Sequence, residues 1–456
     1  MARIRGAQVL LCCSALGLPG CGGSGGGGSG GGAGPAILEF RALRDDLRLG
    51  ERAMLRVRFV GAAGRIEPGI GPVGPDSLVE TPPLGVENRF ELVVVREDGT
   101  ELRQGLDLRA PYRERFRELP MGFGAAQHAT VATEDGGAMV IGGDQGLSIL
   151  GYAVFRFDPR TESFRAVGQL VHGRAQHAAV ALGDGSVLVI GGQLSSNLAE
   201  TPSERIDAGS GAVRLSGALR RQRTGHSATR LADGRVLVLG GSSNDRLEPD
   251  VRASAEIWDP ATGTFRLLAA EMAVPRVGHS ASLLPDGTVL VYGGDGRDAR
   301  YRAAEIFDPV GEDFRALPDP EEGLRALHAA VTLADGRVLI AGGQDRNGAL
   351  RADGLLFDPG TGSFRPLPPS GLARSFAVAA RLADGRVLCA GGSQDRLGTA
   401  TAHAEIRDGE GPPRRIADLA RPRRHHTITR LRDGRLLVVG GEGPGGALRN
   451  TAEIFD

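Results

Sequence analysis

RTGHSATRLADGRVLVLGG, residues Arg223–Gly241, and ASAEIWDPATGTFRLL, residues Ala253–Leu268, decide how this chain folds. The first segment holds two short runs rich in β-formers, HSATRL and RVLVLGG, joined by Asp233-Gly234. An Asp-Gly pair between such runs predicts a tight hairpin, because the turn needs positive φ. AEIWD reads as a third strand. DPATG reads as a turn, in which Pro presets φ and Gly supplies a left-handed step. TFRLL reads as a fourth strand. The unit therefore predicts four antiparallel strands.

The unit repeats. A Gly-Gly pair begins at Gly142, Gly191, Gly240, Gly293, Gly342, Gly391 and Gly440, in steps of 49, 49, 53, 49, 49 and 49 residues. The Asp-Gly turn recurs at Asp135, Asp184, Asp286, Asp335, Asp384 and Asp433. A period of roughly 50 in a strand-rich unit marks a β-propeller. The Gly-Gly pair after an apolar strand, the period, and the aromatic pairs Phe307/Phe314 and Phe357/Phe364 resemble the kelch family. They are also similar to the central propeller of galactose-oxidase-type proteins. The resemblance covers about residues 114–456 and implies an all-β, seven-bladed propeller. The chain ends at NTAEIFD, so unit seven lacks its fourth strand. RFRELP, residues Arg115–Pro120, matches the later DFRALP and SFRPLP. The 114–120 strand is expected to complete the last blade and remove its open edge.

Residues 36–110 alternate apolar and polar side chains at period two. Glu97-Asp98-Gly99-Thr100 reads as a hairpin turn. The pattern resembles bacterial immunoglobulin-like domains, which implies a small β-sandwich acting as a stalk. Residues 1–20 read as a signal peptide: Arg3 and Arg5 precede an apolar run too short to span a bilayer. Leu18-Pro19-Gly20-Cys21 resembles a bacterial lipobox, which implies lipidation at Cys21 and a place at the outer membrane or cell surface. Residues 21–35 are a Gly/Ser-rich flexible linker with a reach of roughly 20 Å. Cys389 is then the one thiol left in the mature chain, expected as a small buried hydrophobe.

Net charge is −1, which argues against nucleic acid as a partner, and every basic residue is Arg. A monomer is expected. Six histidines open the first strands: His128, His177, His226, His279, His328 and His426, with Ala377 in unit six. Symmetry-related positions on separate blades do not converge on a metal, so these read as structural. His403 and His425 can approach each other, but with Glu405 they offer too few ligands for a metal site. No cofactor is expected. Copper-radical oxidases share the propeller, yet their site needs a Cys–Tyr crosslink, a second Tyr and His ligands. The tyrosines here are Tyr112, Tyr152, Tyr292 and Tyr301.

Six arginines lie three residues before the His position: Arg174, Arg223, Arg276, Arg325, Arg374 and Arg423. Arg223-Thr224-Gly225 and Arg276-Val277-Gly278 look like the Arg-x-Gly step of kelch domains that bind acidic peptides. That resemblance implies recognition of carboxylates by planar guanidiniums. The favoured reading is instead an internal ion pair within each unit, with Glu204, Glu256, Glu305, Glu405 and Glu453, which open the third strands. Unit one lacks both partners, with Ala125 and Phe155, whereas unit five has Leu355 at the Glu position. Arg325 is therefore expected to be free, with Asp353 as the alternative acceptor. The reading is a binding module for a protein or glycan ligand, anionic if these arginines face it. A carbohydrate-active enzyme, of the sugar mutarotase or oxidase type, is the alternative.

Overall fold

A computed structural model describes residues 36–95, 98–146, 151–194, 201–243, 250–296, 304–318, 320 and 325–456. The expected signal peptide (1–20) and linker (21–35), with Cys21, lie outside the described residues. Alternation at period two in the N-terminal part gives two sheets. One pairs Ala36–Ala42, Met54–Val60 and Asp76–Glu80; the other pairs Gly71–Val73, Ala63–Glu67, Glu87–Val95 and Glu101–Arg109. Their inner faces bury Phe40, Leu55, Val57, Phe59, Ile66, Leu92 and Val94 in one core. Val95 pairs with Glu101 across the turn at Gly99, whose φ is 81°.

Seven four-stranded antiparallel sheets follow among the described residues. In chain order their first strands are Ala129–Ala132, Ala178–Ala181, Ser227–Arg230, Ser280–Leu283, Ala329–Thr332, Val378–Arg381 and Thr427–Arg430. Each first strand packs on the next, and Thr427–Arg430 packs back on Ala129–Ala132, so the contacts run in a circle. The Asp-Gly turns join first and second strands with the glycine at positive φ, from 77° at Gly185 to 94° at Gly136. The second strands are apolar runs such as Val236–Leu239 and Leu436–Val439, buried on both faces, and that of sheet two opens on Ser186. In the seventh sheet the fourth strand is Phe116–Pro120, with Phe116 opposite Phe455 and Leu119 opposite Ala452.

The Gly-Gly pair has a steric cause. A Cβ on the first glycine would come within 2.5 to 3.0 Å of the Cε1 of a His in the following sheet: Gly142 meets His177, Gly191 meets His226, and Gly440 meets His128. A Cβ on the second glycine would strike the His Cβ of its own sheet, at 2.8 Å for Gly143 and 2.9 Å for Gly241. Each imidazole is thus a wedge between neighbouring sheets. His279 and His328 bond to Ser227 and Ser280 of the preceding sheet, both at 2.8 Å, and His128 to Thr427 at 3.0 Å. Where sheet six has Ala377, a Cβ on Gly342 would meet backbone, with the Arg374 carbonyl nearest at 2.6 Å.

The sandwich sits on the Asp-Gly end of sheets six and seven. The Tyr112 hydroxyl donates to the Gly434 carbonyl at 2.5 Å and accepts from the Ala383 amide at 3.0 Å. Leu49 and Tyr112 join a cluster with Leu382, Leu388, Leu436 and Phe455. The opposite end of the ring, where the loops after Gly-Gly lie, carries no sandwich contact among the described residues.

Two outcomes follow from this packing. A chain lacking residues 36–120 leaves Thr451–Phe455 as a bare edge strand and should aggregate; a monodisperse product of wild-type stability by ultracentrifugation and thermal melt would refute the pairing. Acid should loosen the ring. Burial, aided by the facing arginines, lowers the pKa of His128 to about 4 and of His226 and His328 to about 3, from 6.5. Between pH 6.5 and about 4 the unfolded chain takes up protons that the folded chain refuses. Stability therefore falls as pH falls through that window, by up to about 1.4 kcal/mol per pH unit for each such His. Urea midpoints at pH 7.5 and 4.5 check this; equal midpoints would contradict it.

Candidate functional site

The six arginines three residues before the His position are committed to structure. Arg174 meets Glu204 at 2.6 Å, Arg223 meets Glu256 at 2.9 Å, and Arg276 meets Glu305 at 2.5 Å. Arg374 meets Glu405 at 2.5 Å and Arg423 meets Glu453 at 2.7 Å. All ten of these side chains are at most 4% exposed. The guanidiniums of Arg174, Arg223, Arg276 and Arg423 also donate to the carbonyl of the first glycine of their own sheet's pair, for example Arg223 to Gly240 at 2.8 Å. The carboxylates accept from the backbone that enters the sheet: Glu256 from Arg220 and Arg221, and Glu453 from Ala420 and Arg421. Each pair clamps the linker, the Gly-Gly turn and the third strand together. Burial lowers the pKa of Arg174, Arg223 and Arg423, and the facing Glu opposes it. Sheet one replaces the clamp with rings: Phe155 at the Glu position stacks on Phe123 with centroids 3.6 Å apart.

The expectation of a free Arg325 is corrected. Its side chain is fully enclosed and donates to the Asp353 carboxylate at 2.5 Å and to the Gly342 carbonyl at 3.1 Å. Leu355 removed the usual acceptor, and Asp353, two residues earlier, supplies another. Asp353 also binds Arg351 at 2.7 Å. Nor does the structure join His403 to His425. His403 faces Glu405 at 3.5 Å, and His425 faces Glu442 at 3.2 Å.

The residue just before each His, or before Ala377 in sheet six, forms a different ring. Gln127, Gln176, Gly225, Gly278, Leu327, Phe376 and His425 all have φ between 53° and 67°. Their backbones bond in sequence: Gln176 N to Gln127 O, Gly225 N to Gln176 O, Gly278 N to Gly225 O, Leu327 N to Gly278 O, Phe376 N to Leu327 O, and Gln127 N to His425 O. These residues rim a cavity of about 600 Å³ on the loop face. The rim is uneven. Gly225 and Gly278 give one arc no side chain of their own; Val277 packs over Gly225 and Leu327 over Gly278. Leu327, Phe376 and His425 build an apolar and aromatic wall opposite, where Phe376 and His425 meet edge to face at 4.4 Å. Gln127 and Gln176 put amides on the third arc, bonded to each other at 2.9 Å. His425 turns Nδ1 to Glu442, which Arg424 also binds at 2.9 Å. Its Nε2 has no protein partner among the described residues. The pull of His425, outweighing burial, keeps the Glu442 carboxyl below its usual pKa. The sequence signal for this rim was available: the residue before His varies in type while its neighbours repeat.

No family model matches the chain, and no curated protein matches it. Among solved structures it is similar to a novel fungal alcohol oxidase of the AA5 family in complex with copper. The TM-score is 0.61 at 15% identity, over 75% of this chain and 76% of that one. The likeness is one of fold, an all-β propeller of four-stranded sheets. The structure of YjhT is also similar, with a TM-score of 0.49 and 15% identity over 62% of this chain and 93% of that one. The residues here do not fit a copper-radical centre. Cys389 lies in the second strand of sheet six, paired with Ala379 and Glu405. Tyr112 is held between Gly434 and Ala383, and Tyr292 belongs to sheet four, where burial pushes its phenol up to about 12. Tyr152 flanks the third strand of sheet one, and Tyr301 lies outside the described residues. No group of three or more His, Cys, Asp or Glu among the described residues is arranged for a metal.

Arg276→Ala leaves Glu305 buried without its cation and should cost about 3–5 kcal/mol. Arg325→Ala should also lower the melting temperature, by less, because Asp353 is 24% exposed. An Arg325→Ala melt identical to wild type would overturn the structural role of Arg325.

Proposed function

We propose that this chain is a seven-bladed kelch propeller on an immunoglobulin-like stalk, anchored to a bacterial outer membrane or cell surface through Cys21, that binds a neutral glycan end in the loop-face cavity. The observation that carries the reading is the uneven rim. An aromatic and apolar wall opposite an amide pair suits a sugar, whose C–H faces stack on rings while its hydroxyls bond to amides. With all six clamp arginines in ion pairs, a neutral ligand suits this cavity better than an anionic one. The anchor rests on the lipobox-like sequence: Cys21→Ser should move the protein from the membrane to the soluble fraction, and an unmodified N-terminus on the wild-type chain would refute it.

A second reading, a carbohydrate-active enzyme, is favoured by the His425–Glu442 pair. A carboxylate that fixes one imidazole nitrogen and leaves the other facing a cavity is an arrangement suited to proton transfer. The likeness to an alcohol oxidase concerns the fold and supplies no residue of this kind. One experiment separates the readings. A glycan array probed with the soluble chain should give a hit that Phe376→Ala and Gln176→Ala weaken about tenfold or more, with unchanged melts. His425→Ala should then abolish any turnover of that glycan while retaining its binding. A hit insensitive to Phe376 and Gln176, or hits on a peptide array alone, would refute the glycan reading.

A further inference from the structure

The inner strands end, at the sandwich side of the channel, in another ring: Ala132, Ala181, Arg230, Leu283, Thr332, Arg381 and Arg430. Four of the seven are uncharged, so the repeat itself does not call for Arg here. Arg381 and Arg430 stand on adjacent strands that pack on each other. Both line an open cavity of about 870 Å³ between the channel mouth and the sandwich, whose wall includes Gly85. The surrounding arginines are nearly all engaged: Arg386 with Asp384 and Glu114, Arg435 with Asp433 and Glu162, and Arg432 with the Glu134 carbonyl. Among the described residues, neither Arg381 nor Arg430 has a carboxylate within ion-pair distance or a hydrogen-bond acceptor. Two acids share the lining. Asp433 is held by Arg435 at 2.8 Å, and Glu134 is exposed at the rim.

We infer that this cavity is an oxyanion site, distinct from the loop-face cavity, in which Arg381 and Arg430 take a carboxylate or a phosphate group of a small molecule. Two guanidiniums from neighbouring strands, with eight N–H donors beyond their Nε atoms, match the lone pairs of such a group. The Tyr112 anchor borders the same space, since Gly434, its acceptor, lines the cavity. A bound anion therefore touches the seam between sandwich and ring, and ligand binding to the folded state raises its melting temperature by mass action.

The test is calorimetric titration of the full chain at low ionic strength with citrate, inorganic phosphate and chloride. Saturable binding of citrate or phosphate, a rise in melting temperature with that anion, and no response to the same ionic strength of chloride are expected. Binding of citrate alone identifies a carboxylate site, and binding of phosphate alone a phosphate site. Arg381→Thr and Arg430→Ala, which copy residues 332 and 132 of sister strands, should each weaken the anion about tenfold or more and leave the ligand-free melt unchanged. If either variant loses its cooperative melt, Arg430→Lys is read in its place. It keeps the charge without the planar fork, and at least a severalfold loss of affinity is expected. The inference fails if neither anion binds, or if the variants bind it as tightly as wild type.

Discussion

Every sheet of the ring depends on one steric constraint, the space beside the first glycine of each pair. In six of the seven sheets the imidazole of the following sheet fills it; beside Gly342, where sheet six has Ala377, the Arg374 carbonyl stands nearest, and any side chain in these spaces would strike that ring or backbone. Inner strands can then approach closely enough to bury apolar second strands on both faces. The His is held neutral because charging it in this space carries a desolvation cost with little return. The same ring that gives the fold its tight centre thus ties its stability to pH.

The Arg–Glu clamp closes the other half of each unit. A buried ion pair contributes little net stability against a well-packed apolar substitute, but losing one partner is severe. Sheet one contains the substitute: Phe123 stacked on Phe155, above Ala125. The clamp satisfies the linker N–H groups and the Gly-Gly carbonyl together, so it fixes where the backbone enters each sheet. Its arginines are consumed by that work, which is why they are poor candidates for recognition.

Side-chain variety falls to positions that the repeat leaves free. At the loop end these precede each His, where backbone geometry is repeated and the side chain is not. At the sandwich end they close each inner strand. The two rims differ in chemistry: aromatic and amide groups at one, unpaired guanidiniums at the other. One channel axis thus joins two surfaces of different chemistry, and the sandwich walls only the second.

The all-β class, the repeat length, the Asp-Gly turns and the glycine pairs were legible in the sequence because each rests on local backbone preference or fixed spacing. The match of RFRELP to DFRALP made the partner of the last strand legible too, since strands of one type repeat one pattern. Pairing of five Arg with five Glu followed from their joint presence and absence along the units. The partner of Arg325 did not, because Asp353 replaces Glu from a different register and only the folded loop brings it near. The mouth residues were visible as variable letters, but nothing local says that Gln127, Phe376 and His425 stand on one rim. They lie on three different sheets, and only closure of the ring gathers them. The same is true of Arg381 and Arg430, 49 residues apart in the chain and made neighbours by the packing of two inner strands.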